Sequence, residues 1–163
     1  MAKPNVDLII ESPLWEKVAF VERAVLRAAE AVGAYSEVAR AIRRGDELCI
    51  TLLDDEEIAA LNSRWRGKNA PTNVLSFPAR MDPDKRAPRH LGDIALAFET
   101  IESEAANEGK AFDDHVMHLV VHGVLHLLGY DHLNEGDAQR METLEARILA
   151  SIGVANPYAT EAA

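Results

Sequence analysis

Several features that would place a protein outside the cell or in a membrane are absent from this sequence. Cys49 is the only cysteine among 163 residues, so no intrachain disulfide can form. No uninterrupted apolar run approaches the roughly 20 residues that a membrane-spanning helix requires. The first residues also lack the basic segment and the apolar core of a signal peptide. These absences predict a cytoplasmic protein with no membrane partner.

Internal repeats and low-complexity tracts are also absent, and the composition is that of an ordinary globular protein. Apolar residues make up 48% of the chain and charged residues 27%. A chain of this length can bury a substantial core. We therefore expect a single domain over residues 1–163, with a frayed tail over residues 155–163.

Positive charge is scarce in this chain except in one segment. The net charge is −10, which by itself disfavours binding to the phosphates of a nucleic acid. Residues 64–90 nevertheless contain seven basic side chains against two acidic ones. This basic segment could bind phosphates over a limited area, or it could be a solvated loop whose charge has no purpose. Composition alone does not decide between the two.

Hydrophobic periodicity and turn residues predict alternating strands and helices. We expect strands over residues 6–10, 47–53, 74–77 and 93–98, and helices over residues 14–32, 54–65, 101–108, 112–128 and from residue 134 onward. This order predicts an α+β domain in which a small mixed β-sheet of about four strands is covered by about five helices. The helix over residues 112–128 is apolar nearly all round, so we expect it to be a central buried helix.

The segment after the second predicted strand carries clear local signals. Asp54 and Glu57 have the spacing of a capping box at the start of a helix. Ile58, Leu61 and Trp65 are expected to form the buried stripe of that helix. The loop over residues 79–91 is long for a compact domain, so we expect it to be functional or mobile.

Four histidines lie on one stripe of the predicted central helix. At about 100° per residue, His115, His118, His122 and His126 fall within roughly 80° of one another. Burying imidazoles without partners is costly, so this stripe should face a metal, a cavity or hydrogen-bonding groups. His115 lies about 10 Å along the axis from His122, too far to share one ion with it comfortably. His118 is closer and could support a ligand without binding the metal itself.

The segment from His122 to His132 has the spacing of a catalytic zinc site. His122 and His126 lie one helical turn apart, and Gly129 can reverse the chain so that His132 reaches the same point. Three imidazoles with a free fourth position are typical of catalytic rather than structural zinc. We therefore expect one Zn2+ per chain, with nickel or another divalent transition metal as an alternative. Such an ion lowers the pKa of bound water, which predicts a metal-dependent hydrolase.

The same spacing occurs in the metzincin zinc proteases. Those enzymes carry a glutamate directly after the first histidine as the general base, whereas this chain has Gly123 there. The departure weakens the prediction of a protease but leaves it open. Asp131, beside the last histidine, is expected either to orient an imidazole or to serve only as a turn residue.

Three blocks of the sequence resemble the signatures of one family. The string HGVLHLLGYDH over residues 122–132 closely resembles the signature of the YbeY family of bacterial rRNA maturation factors. The strings RGKNAPTNVLSFP over residues 66–78 and LGDI over residues 91–94 are similar to other hallmarks of that family. The resemblance covers essentially the whole domain, and no ligand position departs from it.

The resemblance implies a single-strand-specific, metal-dependent endoribonuclease that acts in 16S rRNA 3′-end maturation and ribosome quality control. It implies zinc bound by His122, His126 and His132, and a functional arginine at Arg66, so that Arg66 and His122 are the expected catalytic residues. It also implies ribosomal RNA and ribosomal subunits as partners. Small-subunit ribosomal proteins and an assembly GTPase are further partners expected from the family.

Elementary chemistry agrees with an RNA substrate at two points. RNA carries its own 2′-hydroxyl, so its cleavage needs less from a protein base than peptide hydrolysis does, and Gly123 becomes tolerable. An arginine such as Arg66 can bridge two phosphate oxygens and stabilise negative charge that develops on them. The attacking group could be metal-bound hydroxide or the 2′-hydroxyl, and the sequence does not choose between them.

Several further residues could contact RNA, and two other functions stay open. The basic candidates are Arg64, Lys68, Arg86 and Arg89. Trp65 and Phe77 could stack on bases but are expected to be buried anchors. The alternative functions are a zinc metalloprotease, favoured by the ligand spacing, and a non-catalytic ribosome-assembly factor whose structural metal staples the last helix to the core.

Overall fold

The computed structural model describes residues 3–80, 84, 86 and 88–159, and these form one four-stranded sheet with six α-helices around it. The strands are β1 (Asn5–Ile10), β2 (Glu47–Leu53), β3 (Val74–Pro78) and β4 (His90–Ala97). The helices are α1 (Val21–Ala34), α2 (Ser36–Ala39), α3 (Asp55–Arg66), α4 (Phe98–Glu108), α5 (Phe112–Leu127) and α6 (Glu135–Ser151). The predicted α+β class and four-stranded sheet are confirmed, and the short helix α2 is the one that the sequence did not predict.

The sheet is mixed, with strand order β1-β2-β4-β3. Strands β1, β2 and β4 run parallel, whereas β3 pairs antiparallel with β4 and lies at one edge. Helices α1 and α5 cover one face and form the larger core with it. Helix α3 packs on the other face, where a smaller cluster holds Leu53, Ile58, Leu75, Ala95 and Ala97. The histidine helix α5 is therefore central, as predicted.

Two glycines allow α5 to lie directly on the sheet. A Cβ atom on Gly123 would lie 3.0 Å from Cδ1 of Ile94 and 3.2 Å from Oγ of Ser76. Gly92 has φ +146°, and a Cβ atom there would collide with the carbonyl oxygen of Phe77. The histidine-bearing end of α5 is thus fixed against β3 and β4 by contacts that a larger residue would disrupt.

The predicted continuous helix over residues 14–32 is wrong. A 3₁₀ turn over Pro13–Lys17 comes first. Phe20 then adopts the left-handed conformation, with φ +66°, and α1 begins directly after it. The turn is fixed because Ser12 caps it and because Nε1 of the buried Trp15 donates to the carbonyl oxygen of Leu53 at 2.8 Å. Long-range burial of one indole therefore overrides the helical periodicity of this segment.

The capping box of α3 is confirmed, but its predicted buried stripe is wrong at Trp65. The amide of Glu57 donates to Asp54 and the amide of Asp54 donates back to Glu57. Trp65 is 66% exposed, whereas Asn62 is buried and its Nδ2 donates to the carbonyl oxygen of Ala70 at 2.8 Å. The inward face of α3 is therefore partly polar, because it holds the loop that follows the helix.

Other boundaries differ by a few residues from those predicted. Strand β4 begins at His90 and α4 begins directly after it at Phe98. Residues 81–83, 85 and 87 of the predicted 79–91 loop, which include Lys85 of the basic segment, lie outside the described residues. Within the described part of the chain, no helix is long and apolar enough to cross a membrane.

Candidate metal centre

Three histidines converge where α5 ends. His122 and His126 lie on the last turns of α5, and the chain then reverses at Gly129, which has φ +99° and donates its amide to the carbonyl oxygen of His126. The reversal brings His132 back towards them. One potential ligand atom from each of these three side chains lies within 4.8 Å of the other two.

The geometry of this trio fits a transition-metal ion. The Nε2 atoms of His122 and His126 are 3.1 Å apart, close to the roughly 3.3 Å that two imidazole nitrogens have in a tetrahedral zinc site with bonds of about 2.0 Å. His122 and His126 are half-buried and His132 is exposed, so the centre opens to solvent on one side. A set of three imidazoles suits a divalent metal and leaves room for a further ligand.

A buried carboxylate that sequence reasoning missed supports the first imidazole. Glu145 of α6 is fully buried, and its Oε1 lies 2.5 Å from Nδ1 of His122. The hydroxyl of Tyr158 donates to Oε2 of Glu145 at 2.6 Å. Because Nδ1 of His122 donates its proton to Glu145, Nε2 is left as the acceptor that faces the other histidines.

The ionisation of these groups follows from their packing. Burial alone would raise the pKa of Glu145, but the close contacts with His118, His122 and Tyr158 outweigh it and lower that pKa to about 2. Burial and the neighbouring charges of His122 and His132 lower the pKa of His126. The buried carboxylate is therefore ionised and the central imidazole is biased to its neutral form, which is the form that binds metal.

His118 and His115 lie outside the trio. Nε2 of His118 lies 3.2 Å from the Tyr158 hydroxyl and 3.6 Å from Oε1 of Glu145, so His118 contacts the same carboxylate as His122 does. Nε2 of His115 instead lies 2.9 Å from Oε1 of Glu104. The four histidines of α5 thus divide into two that join the converging trio, one in the supporting network and one in a separate hydrogen-bonded contact with Glu104.

The described part of the C-terminal tail contributes to this network through Tyr158. Tyr158 contacts both His118 and Glu145, and its own amide donates to the side chain of Asn156. These contacts anchor the described part of the tail, whereas residues 160–163 lie outside the described residues.

Asp131 contacts its neighbour His132 at both the backbone amide and the imidazole. Its Oδ1 accepts from the backbone amide of His132 at 2.7 Å and lies 3.7 Å from Nδ1 of the same residue. The carboxylate at hydrogen-bond distance from a trio imidazole is that of Glu145. A signal for Glu145 does exist in the sequence, because it lies among Met141, Leu144 and Ile148 on the apolar face of α6.

Arg66 shares a cleft with the trio. The cleft has a volume of about 580 Å³, and Asn73, Ser76 and Tyr130 also line it. Arg66 is the last residue of α3, which Gly67 ends in the left-handed conformation with φ +70°. It is exposed, and it pairs with no acidic side chain among the residues that the structure describes. Its guanidinium is therefore available to an anion that enters the cleft.

The four candidate RNA-contacting residues separate into two groups. Arg64, Lys68 and Arg86 are exposed. Arg89 instead forms an ion pair, in which its Nε donates to Oδ1 of the fully buried Asp46 at 2.8 Å. This pairing gives Arg89 a role in the fold, and its contact with RNA stays a prediction.

Comparison with known proteins places this arrangement in context. A family model described as Endoribonuclease YbeY matches residues 14–153. The chain is 48% identical over 161 residues to an Endoribonuclease YbeY of Rhodopseudomonas palustris, with 97% of this chain and 83% of the relative covered. It is 47% identical over 171 residues to that of Bradyrhizobium diazoefficiens, with 98% and 89% covered. A relative of the same name from Parvibaculum lavamentivorans is also 47% identical, with 96% and 86% covered.

A solved structure shares the fold. The solution structure of a Thermotoga maritima protein superposes with a TM-score of 0.55 and covers 95% of this chain and 99% of its own. The two sequences are 22% identical, so this likeness bears on the fold alone.

Proposed function

This chain belongs to the Endoribonuclease YbeY family, and on that basis we propose that it is a metal-dependent endoribonuclease that cleaves single-stranded RNA. We propose further that it acts in 16S rRNA 3′-end maturation and in ribosome quality control. The observation that carries the proposal is the open cleft that the three converging imidazoles and the exposed Arg66 line together. That combination suits an anionic phosphodiester better than a neutral peptide bond.

We assign one Zn2+ to His122, His126 and His132, with nickel or another divalent transition metal as the alternative. When bound, such an ion would polarise a phosphoryl oxygen and lower the pKa of a water. His122 presents its Nε2 because its Nδ1 donates to Glu145. Burial lowers the pKa of His126 and so biases that ring towards its neutral form. Both effects prepare the ligands in the protonation state that metal binding requires.

Arg66 is proposed to stabilise the phosphate during cleavage. Its guanidinium can donate two parallel hydrogen bonds to phosphate oxygens, which strengthen as negative charge accumulates on them. The short turn after α3 positions it, because Asn62 holds that turn through the carbonyl oxygen of Ala70. The side chain thus comes from a rigid element, which favours a defined position over the substrate.

A protease is a weaker candidate for a structural reason. The general base of the metzincins would have to occupy position 123, where a Cβ atom already meets Ile94 at 3.0 Å. A side chain there would require Ile94 and Ser76 to move away from α5, so the position is packed for glycine. An RNA substrate, which carries its own 2′-hydroxyl, does not need that residue.

The proposal includes partners and location. We expect ribosomal RNA and ribosomal subunits as partners, with small-subunit ribosomal proteins and an assembly GTPase as further ones, in the cytoplasm. The exposed cations Arg64, Lys68 and Arg86 support contact with RNA phosphates beyond the cleft.

Metal analysis combined with cleavage of precursor rRNA by matched variants tests the proposal. The His126→Ala variant should lose its bound metal and cleave RNA at least about 100-fold more slowly, because two imidazoles hold the ion weakly. The Arg66→Ala variant should keep the metal but cleave about 100- to 1,000-fold more slowly. His90→Ala and Arg140→Ala, at exposed or half-exposed positions outside the cleft, serve as controls and should behave as the wild type.

Two outcomes would contradict the proposal. Histidine-dependent peptide cleavage without ribonuclease activity in a contaminant-free preparation would favour the protease. Normal rRNA processing by a folded Arg66→Ala variant, with joint loss of stability and ribosome association in His122→Ala, would favour the non-catalytic assembly factor.

A further inference from the structure

An exposed aromatic side chain lies beside the cleft and has no role in the fold's core. Trp65 is 66% exposed although it lies in the last turn of α3. Its ring is supported on one side by Phe77 of β3, with ring centroids 6.2 Å apart. Its sequence neighbours are Arg64 and Arg66, which are both exposed. Tryptophan rings with one face packed and one face exposed are enriched at binding surfaces.

Trp65 lines a groove of about 610 Å³ on the face of the sheet opposite α5. Leu53, Leu61, Phe77 and Ala95 provide its apolar lining. This groove and the histidine cleft lie on either side of the edge strand β3, and Pro78 lines both of them. A flexible chain whose backbone lies in the cleft can therefore continue across β3 and place a side group in the groove.

The charges around the groove determine which part of a nucleic acid could enter it. Glu11, Glu57 and Asp93 also line the groove, so a phosphate inside it would be repelled. The exposed cations Arg64, Arg66 and Lys68 instead follow the end of α3 and the turn after it. This distribution favours a neutral, flat, apolar group inside the groove and phosphates outside it.

We propose that Trp65 and Phe77 form a stacking subsite for one unpaired nucleobase of the RNA whose phosphate enters the histidine cleft. The proposal rests on the proposed endoribonuclease function and extends it to substrate choice. A base in a duplex is paired and stacked on its neighbours, so it cannot enter the groove without first being unstacked. The subsite therefore gives a physical reason for a preference for single strands, and stacking makes it tolerant of sequence.

The two tryptophans of the chain allow a direct test. Trp15 is fully buried and Trp65 is exposed, so a ligand that stacks on Trp65 quenches only part of the emission. We expect a 2′-O-methylated single-stranded oligoribonucleotide to quench the metal-loaded wild type, and the same oligomer with abasic residues, or annealed in a duplex, to leave its emission unchanged. The Trp65→Phe variant should show no quenching, because Trp15 is its only remaining indole.

Affinity measurements complete the test. Trp65→Ala should weaken binding of the single-stranded oligomer by about 5- to 100-fold, the range found for loss of one stacked base, whereas Trp65→Phe should stay within a few-fold of the wild type. With cleavable RNA, Trp65→Ala should raise KM and change kcat little, because stacking acts equally before and during cleavage. Phe20→Ala is the matched control, since Phe20 is 69% exposed but lines neither the groove nor the cleft.

The remaining outcomes overturn the subsite in distinguishable ways. Wild-type affinity in Trp65→Ala, together with RNA cleavage by the wild type, would refute the subsite and leave the endoribonuclease intact. Loss of binding to a ribosomal protein, with unchanged affinity for RNA, would make the groove a protein-docking surface instead. A wild type that neither binds nor cleaves single-stranded RNA would refute both the subsite and the function on which it rests.

Discussion

Two fully buried carboxylates, Asp46 and Glu145, have opposite relations to function. Asp46 lies before β2 and pairs with Arg89, whose guanidinium also donates to the carbonyl oxygen of Ala41. Glu145 lies on α6 and pairs with an imidazole and a phenol at the candidate metal centre. Both have a lowered pKa despite burial, so both are charged inside the protein.

The difference lies in the partners. An arginine is always protonated, so the pair of Asp46 and Arg89 has one state and can only hold the chain together. An imidazole can gain or lose a proton near neutral pH, and either of its ring nitrogens can bind a metal. Because Glu145 accepts from Nδ1 of His122, it determines that Nε2 is the free nitrogen. A buried carboxylate thus indicates function when its partner can itself change state, and structure when it cannot.

The largest expected effect is on protein stability, when the pair of Asp46 and Arg89 is broken. Arg89→Ala leaves the charge of Asp46 buried and unpaired, so we expect the free energy of unfolding to fall by about 3–5 kcal/mol. Urea unfolding measures this, with Arg86→Ala as the exposed control. A stable Arg89→Ala protein with weakened RNA binding would instead show that Arg89 contacts RNA.

The next largest effect is a pH dependence of stability that comes from Glu145, the partner of His122. The pKa of Glu145 is about 2 in the folded protein against an ordinary 4.5, so the unfolded chain takes up this proton first as the pH falls. The resulting stability, about 3 kcal/mol, is fully present above about pH 4.5 and is lost as the pH falls towards 2. In metal-free protein, unfolding at several pH values should show this slope in the wild type and its loss in Glu145→Gln. An unchanged slope in that variant would show that Glu145 is not the group responsible.

Glu145→Gln should also weaken metal binding by about 10- to 100-fold, as is typical when the partner of a ligand histidine is changed. Competition with a chelator of known affinity measures the change. Glu142→Gln removes the same charge from an exposed position of α6 and should leave the affinity unchanged. Equal losses in the two variants would point to a general charge effect rather than to orientation of His122.

The smallest effect on stability and metal affinity is expected at Tyr158, which contacts Glu145 from the C-terminal tail. Tyr158→Phe removes the hydroxyl that donates to Oε2 of Glu145, and because Tyr158 is 38% exposed, water can replace part of that bond. We expect a loss of about 1 kcal/mol in stability and a change of only a few-fold in metal affinity. A loss of metal binding as large as that in Glu145→Gln would assign Tyr158 a larger part in the centre.

The sequence predicts those parts of this molecule that depend on local spacing. The convergence of His122, His126 and His132 depends on one helical turn and a glycine reversal, and the capping box depends on four consecutive residues. Both are therefore readable without a structure. The four strands were found for the same reason, because each is a short apolar run between turn residues.

Long-range pairs account for what sequence reasoning missed. Arg89 resembled the other cations of its segment until Asp46, 43 positions away, was found beside it. Trp65 fits the apolar period of α3, yet its indole packs against Phe77 of the edge strand and stays 66% exposed. In the sequence, Glu145 is only a charged residue on the apolar face of a helix. Its role as the partner of His122 depends on a contact that only the fold creates.

Gly123 has a consequence for engineering and for evolution on this scaffold. The spacing of His122 and His126 and the packing of α5 on the sheet meet at this one residue without a side chain. A designer who places the peptidase glutamate at this position would have to make room at Ile94 and Ser76, whose side-chain atoms would lie 3.0 and 3.2 Å from its Cβ. Residues 76 and 94 are therefore the first positions to vary together with residue 123.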